Sequence, residues 1–189
     1  MTDLKKCAAE ALGTFYLCFA GIAAILVVTM KGWGGDSGGL LIIALAHGLA
    51  LSIAVSVTGG ISGGHLNPAV TISMLVTRRI TPTLALKYIF FQILGATIAA
   101  FLCTQLFTGT EAVADANLGI PLPGPEFANP TTIILGEFIL TFLLVTSVFG
   151  TAIDERGRAV KFGALAIGLT VAFDILAGGA ITGASMNPA

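Results

Sequence analysis

Five stretches of the chain, about residues 7–30, 39–58, 83–107, 131–152 and 161–178, are mostly apolar. Each comes close to or exceeds the roughly 20 residues a helix needs to cross a bilayer core. The first follows Lys5 and Lys6, as a signal peptide would. Its apolar run outlasts the roughly 7–15 residues of a signal h-region and contains Glu10, which predicts a retained helix. Two glycine-rich segments, GGISGGH at 59–65 and GGAITGAS at 178–185, predict breaks in the second and fifth helices. An Asn-Pro-Ala follows each break, at Asn67-Pro68-Ala69 and Asn187-Pro188-Ala189. Proline suits the first turn of a new helix, where its missing N–H is no loss. The run after Pro68, AVTISMLVT, is apolar but too short to span, and it predicts a half-helix ending near the middle of the membrane.

The pattern repeats. Residues 44–69 and 164–189 align without gaps at an offset of 120 and are identical at 11 of 26 positions. Upstream, Glu10 in AEALGTF corresponds to Glu137 in GEFILTF. Three spans separate the copies, an odd number, so they enter the membrane from opposite faces, as in an inverted repeat with an in-plane pseudo-two-fold axis. The expected organisation is a first repeat over 1–107, with three spans and a re-entrant loop at 59–77. A connection over 108–130 follows, then a second repeat over 131–189 with two spans and the start of a second re-entrant loop. The first repeat runs about 38 residues beyond its Asn-Pro-Ala to a third span, whereas the second reaches Ala189 at its own. The expectation is therefore a fragment lacking a sixth span.

Composition narrows the class. Hydrophobic residues make up 56% of the 189 and charged residues 10%, against roughly a quarter in soluble domains. No Asp, Glu, Lys or Arg occurs in the 41 residues between Asp36 and Arg78. This excludes a soluble enzyme, a nucleic-acid binder and a disordered chain, and places the protein in a bilayer. Eight of the nine Lys and Arg residues (Lys5, Lys6, Arg78, Arg79, Lys87, Arg156, Arg158 and Lys161) fall on one side under an alternating topology. Loop 31–38 and the connection bearing Glu111, Asp115 and Glu126 fall on the other. The positive-inside rule then puts the N-terminus in the cytoplasm and the 108–130 connection outside. Cys7, Cys18 and Cys103 have no metal or redox spacing and read as small core residues. Asn129-Pro130-Thr131 is no glycosylation acceptor, because proline occupies its middle position. No nucleophile–base pair, phosphate loop or metal cluster is apparent, so neither an enzyme nor a cofactor is expected.

The candidate chemistry lies in the two loops. Half-helices dipping in from opposite faces bring their positive N-termini together at the midplane. Asn67 and Asn187 act there as N-caps, each amide oxygen accepting from the first turn. That bond turns each NH₂ into the cavity as a donor to a passing water. The extended segments Gly63, Gly64, His65, Leu66 and Gly183 to Met186, including Ser185, offer backbone carbonyl acceptors. The result is a narrow path with a central field that opposes cations and protons.

With SGGHLNPAV, GASMNPA, the paired Glu10 and Glu137, and Gln92 with Gly95 in the third span, the chain resembles the aquaporins of the major intrinsic protein family over its whole length. The resemblance implies an all-α membrane protein with an inverted repeat and two re-entrant half-helices, assembled as a homotetramer with one pore per subunit. It also implies a narrow selectivity point carried over by spacing: His47 in span 2, Ile175 in span 5, Ala184 in the second loop, and a fourth position, usually Arg, at 190. The set His, Ile, Ala is similar to the tonoplast-type subgroup. That implies permeability to water and to other small neutral solutes such as ammonia, urea or hydrogen peroxide, through an aperture wider than a strict water channel's.

Alternatives stay open at individual residues. His47 is a pore residue, favoured for an intramembrane ionisable group, or a packing histidine. His65 supports loop geometry or reads solute. Glu10 and Glu137 hold loop N–H groups or serve as proton sites in an ion-coupled secondary transporter, the competing class. A purely structural membrane protein has no need of two midplane donors. Asp174, next to Ile175, packs at a helix contact or modulates the pore.

Overall fold

The computed structural model describes residues 2–33, 35–109 and 116–189, the side chains of 35–37 excepted. The acidic side chains of Asp36, Glu111 and Asp115 therefore lie outside the described residues. Five long apolar helices and one short re-entrant helix form the structure, and among the described residues there is no strand. They are α1 (Asp3–Lys31), α2 (Gly35–Ser62), α3 (Pro68–Val76), α4 (Pro82–Leu106), α5 (Pro130–Val148) and α7 (Gly163–Thr182). A π-turn at Phe149–Ile153 extends α5, and a one-turn α6 (Glu155–Ala159) leads into α7. The nine residues of α3 reach about 14 Å, under half of a bilayer core of ~30 Å.

Proline starts three of these helices. Pro68, Pro82 and Pro130 each follow a capping side chain: Asn67 Oδ1 accepts from Ala69 N at 2.7 Å, Thr81 Oγ1 from Leu84 N at 3.3 Å, and Asn129 Oδ1 from Thr131 N at 2.9 Å. The glycine-rich segments stop their helices later than expected. Helix α2 runs through Gly59 and Gly60 to Ser62, and α7 runs through Gly178 and Gly179 to Thr182. Gly59 and Gly179 stay helical because their carbonyls accept from Gly63 N and Gly183 N. The breaks come at Gly63 and Gly183, whose φ of 96° and 88° ends a right-handed helix. Both corrections equal four residues, so the offset of 120 survives in the structure.

Helix α1 packs on α2 and α4, and α7 packs on α2 and α5. Helices α2 and α7 cross at the repeat-related Gly48 and Gly168, where a Cβ on either would strike the other's carbonyl oxygen. A Cβ at Gly95 would strike the Ala11 carbonyl where α1 meets α4. Small residues let backbones touch where lipid supplies no hydrophobic drive. The buried core runs between these crossings and includes Leu17, Leu51, Leu66, Leu144, Val171 and Ile175. Large side chains such as Leu86, Phe90, Phe138 and Phe142 stand outward and exposed, as a surface solvated by lipid requires.

Candidate functional site

The two loops that follow α2 and α7 have the same backbone. Left-handed φ angles occur at Gly63, Gly64 and Leu66 (96°, 63° and 52°) and at Gly183, Ala184 and Met186 (88°, 48° and 51°). Three of these residues carry a Cβ, and a left-handed conformation costs such a residue roughly 1–2 kcal/mol. Two carboxylates hold the shape, Glu10 fully buried and Glu137 half-buried. Glu10 of α1 accepts from Ser62 Oγ and His65 N at Oε1, and from Leu66 N (2.6 Å) and Gln92 Nε2 (2.8 Å) at Oε2. Glu137 of α5 accepts from Thr182 Oγ1 (2.7 Å) and Ser185 N (3.0 Å) at Oε1, and from Met186 N (2.8 Å) at Oε2.

This anchoring sets where the carbonyls go. In a planar trans peptide the N–H and C=O point in opposite directions. The N–H groups of His65 and Leu66 face Glu10, so the carbonyls of Gly64 and His65 face away from it. Likewise the carbonyls of Ala184 and Ser185 face away from Glu137. Gly64, His65, Ala184 and Ser185 all line one cavity of about 500 Å³, which runs along α1, α2, α5 and α7. Leu66 and Met186 hold different partners. Asn67 Nδ2 donates to Met186 O at 2.9 Å and Asn187 Nδ2 donates to Leu66 O at 3.0 Å, so the two loops are tied tip to tip. Each amide also caps its own chain, Asn67 to Ala69 N and Asn187 to Ala189 N (3.0 Å). Of the two hydrogens on each NH₂, one crosses to the other loop and one is left for the cavity. Pro68 and Ala69 begin α3, and neither they nor Pro188, Gly63 and Leu66 are among the described residues that line the cavity.

His47, Ile175 and Ala184 all line the same cavity. Nδ1 of His47 lies 2.8 Å from Ile43 O. A carbonyl can only accept, so Nδ1 carries a hydrogen, and in the neutral ring Nε2 keeps a lone pair. The ring fits because Gly21 of α1 has no side chain there. His65 is tied to α3 and α4: Nδ1 lies 3.1 Å from Thr71 Oγ1, and the ring meets Tyr88 edge-on with 5.2 Å between centroids. Thr71 Oγ1 donates to Asn67 O and accepts from Gln92 Nε2 at 2.9 Å, while Tyr88 donates to Ser62 O.

This Gln92–Thr71–His65–Tyr88 network joins α3, α4 and the first loop through tertiary contacts that apolar periodicity does not signal. Ser62 and Thr182, by contrast, are matched hydroxyls at the offset of 120 and were legible as a pair. Leu118 to Leu122 of the connection also line the cavity. Their backbone closes against the second loop, because a Cβ at Gly183 would meet Pro121 and Leu122 at 2.8 Å. Cys7 and Cys103 are buried and all three cysteines are free. Among the described residues no group of His, Cys, Asp or Glu has metal-binding proximity.

A family model described as "Major intrinsic protein" matches residues 1–189. The chain is similar to aquaporin TIP4-4 of Zea mays, with 39% identity across 96% of this chain and 70% of that protein. It is also similar to the probable aquaporin TIP3-2 of Arabidopsis thaliana, 40% identical across 99% and 70%. Aquaporin AqpM of Methanothermobacter thermautotrophicus is 38% identical across 98% and 80%. Among solved structures, the aquaglyceroporin from Plasmodium falciparum superposes with a TM-score of 0.80 at 28% identity, covering 99% of this chain and 77% of that one. The chain belongs to the major intrinsic protein family, whose members are channels rather than enzymes, and it is a multi-pass membrane protein.

Proposed function

We propose that this member of the major intrinsic protein family conducts water and other small neutral solutes passively, in single file past the paired Asn-Pro-Ala motifs, and excludes protons and ions. One observation carries the reading: Asn67 and Asn187 each donate to the other's loop. That leaves two amide hydrogens side by side in the cavity wall. A water meeting both must accept through its oxygen, so its own hydrogens point away along the path in opposite directions. A hydrogen-bonded chain reversed at its centre does not relay protons. The carbonyls of Gly64 and His65 on one approach, and of Ala184 and Ser185 on the other, take the hydrogens of waters entering and leaving. The start of α3 at Asn67 adds a positive field at the same point, which opposes cations.

His47, Ile175 and Ala184 form three walls of the filter. Nε2 of His47 is an acceptor, while the aliphatic Ile175 and small Ala184 leave room beyond a water's width. This supports passage of ammonia, urea or hydrogen peroxide. Stopped-flow assays on proteoliposomes test it: uptake of at least one of the three above protein-free vesicles is expected, and water flux alone sinks the wider filter. We also assign the N-terminus to the cytoplasm, from the side that carries the basic residues. The functional unit is proposed to be a homotetramer, which native mass spectrometry reads directly.

The competing reading, an ion-coupled transporter, needs a buried acid free to exchange protons. Glu10 and Glu137 hold four and three donors respectively. Such saturation suits a fixed structural anchor and not a carrier.

A further inference from the structure

Three acids are built into the helical bundle, and they differ sharply. Glu10 and Glu137 are saturated with donors. Asp174 of α7 is 0% exposed, and neither of its carboxyl oxygens has a hydrogen-bond partner among the described residues. Its surroundings follow from the register of α5 against α7. Gly136 meets Thr182 and Leu140 meets Gly178, so these antiparallel helices pair residues whose numbers have a constant sum. One turn further, Asp174 stands opposite Leu144, itself buried. Another turn on, Thr170 Oγ1 donates to Ser147 Oγ at 2.9 Å. Asp174 thus sits in the apolar middle of the seam, a turn from one polar pair and two turns from the Glu137–Thr182 pair.

No cation faces it. Glu137 is the one titratable group on α5, and it is bonded to the second loop. Helix α7 has no other Asp, Glu, Lys or Arg, and α3 has no titratable residue. Among the described side chains of α2, only His47 titrates, and its ring is turned to Ile43 O and Gly21 of α1. At the offset of 120 the first repeat has Ala54 in this place and Ala50 where Thr170 stands. The carboxyl is therefore particular to the second half and not required by the repeat.

An unpaired carboxylate in such a seam is penalised by desolvation with nothing to offset it, whereas the acid form is neutral. We propose that Asp174 is a proton-binding site: the channel conducts with this carboxyl protonated, and loss of the proton alters conduction through Ile175, the next residue, which lines the cavity. An ionised Asp174 pushes α5 and α7 apart at a seam whose Leu144 and Ile175 both line the cavity. Movement of α7 away from α5 tips Ile175 into the lumen and narrows it. The proton is lost as pH rises, so flux declines on the alkaline side.

The test uses the full chain in proteoliposomes. Infrared spectra at neutral pH, taken as wild type minus Asp174→Asn, are expected to show a protonated-carboxyl stretch that the variant lacks. Water flux of the wild type is expected to fall as pH rises, and that of Asp174→Asn to lose the dependence. A hydrophobic carbodiimide, which attacks protonated carboxyls inside membranes, is expected to label Asp174 in wild-type protein, as read by peptide mass spectrometry. This arm holds even if Asp174→Asn fails to fold. Absence of both the band and the adduct overturns the proton site, and identical flux profiles in the two proteins overturn its link to conduction. Neither spectroscopic arm depends on the solute range proposed above.

Discussion

The loop at Ser62 to Asn67 and the loop at Thr182 to Asn187 share one backbone and one kind of anchor, set in different surroundings. Both have a hydroxyl at the helix end, a glutamate behind the N–H groups and left-handed residues at matching positions. The first is further held from α3 and α4, by Gln92, Thr71, His65 and Tyr88. The second rests on Glu137 and on the connection at Pro121 and Leu122. The shared part shapes the path: carboxylate, hydroxyl and chain reversal together aim the carbonyls at the cavity. The contacts around each loop set how firmly it is held, which makes the comparison open to experiment.

The strongest way to break it is to remove an anchor. Bonds to a charged group contribute about 1.5–3 kcal/mol each, so Glu10→Ala, with four donors released and two backbone N–H groups stranded, removes most of the stability margin of a domain. Little folded protein is expected by size-exclusion chromatography in detergent. Glu137→Ala releases three donors and is expected to be severe but less so. The reverse order contradicts the comparison.

Gln92→Leu isolates one support, since it removes the bonds from α4 to Glu10 and Thr71 and leaves the second loop untouched. A loss of about 1–3 kcal/mol is expected, seen as a lower midpoint in thermal unfolding, with added hydrogen exchange confined to His65 and Leu66. Exchange spreading equally to Ser185 and Met186 argues that the loops are supported as one unit.

Asn67→Ala and Asn187→Ala probe the tie between the loops. Each loses a cap and a cross-loop bond, together about 2 kcal/mol. In a double-mutant cycle the two are expected to couple, because each asparagine donates to the residue before the other. Strict additivity places them in separate loops.

The smallest effect lies in the matched pair Gly64 and Ala184. Gly64→Ala puts a Cβ at a φ of 63°, near Thr58 Oγ1 at 3.2 Å, and is expected to cost about 1–2 kcal/mol. Ala184→Gly relieves the same strain at a φ of 48° and widens the filter, so solute uptake is expected to rise while stability changes little. Equal destabilisation by both means the two loop positions are not equivalent.

Much of this was legible beforehand, for definite reasons. Five spans, the half-helix after Pro68 and the pairing of Glu10 with Glu137 follow from apolar run length, proline placement and the repeat. The helix ends at Ser62 and Thr182 were missed, because glycine weakens a helix without ending it. What ends each helix is the first residue that turns left-handed, Gly63 and Gly183. The Gln92–Thr71–His65–Tyr88 network joins α4, α3 and the loop through tertiary contacts with no periodic trace. The cross-loop bonds were hidden likewise: local chemistry gives each asparagine a cap, but only the fold brings Asn67 to Met186, 119 residues away.

The central claim is passive conduction of neutral molecules past two amide donors without passage of protons. Its most direct test is stopped-flow osmotic shrinkage of proteoliposomes carrying an internal pH-sensitive dye, measured over a range of temperatures and with and without a proton gradient. The account predicts fast shrinkage with a low activation barrier, indifferent to the gradient, and no dye response above that of empty vesicles. Flux that saturates, has a steep temperature dependence and needs the proton gradient contradicts it.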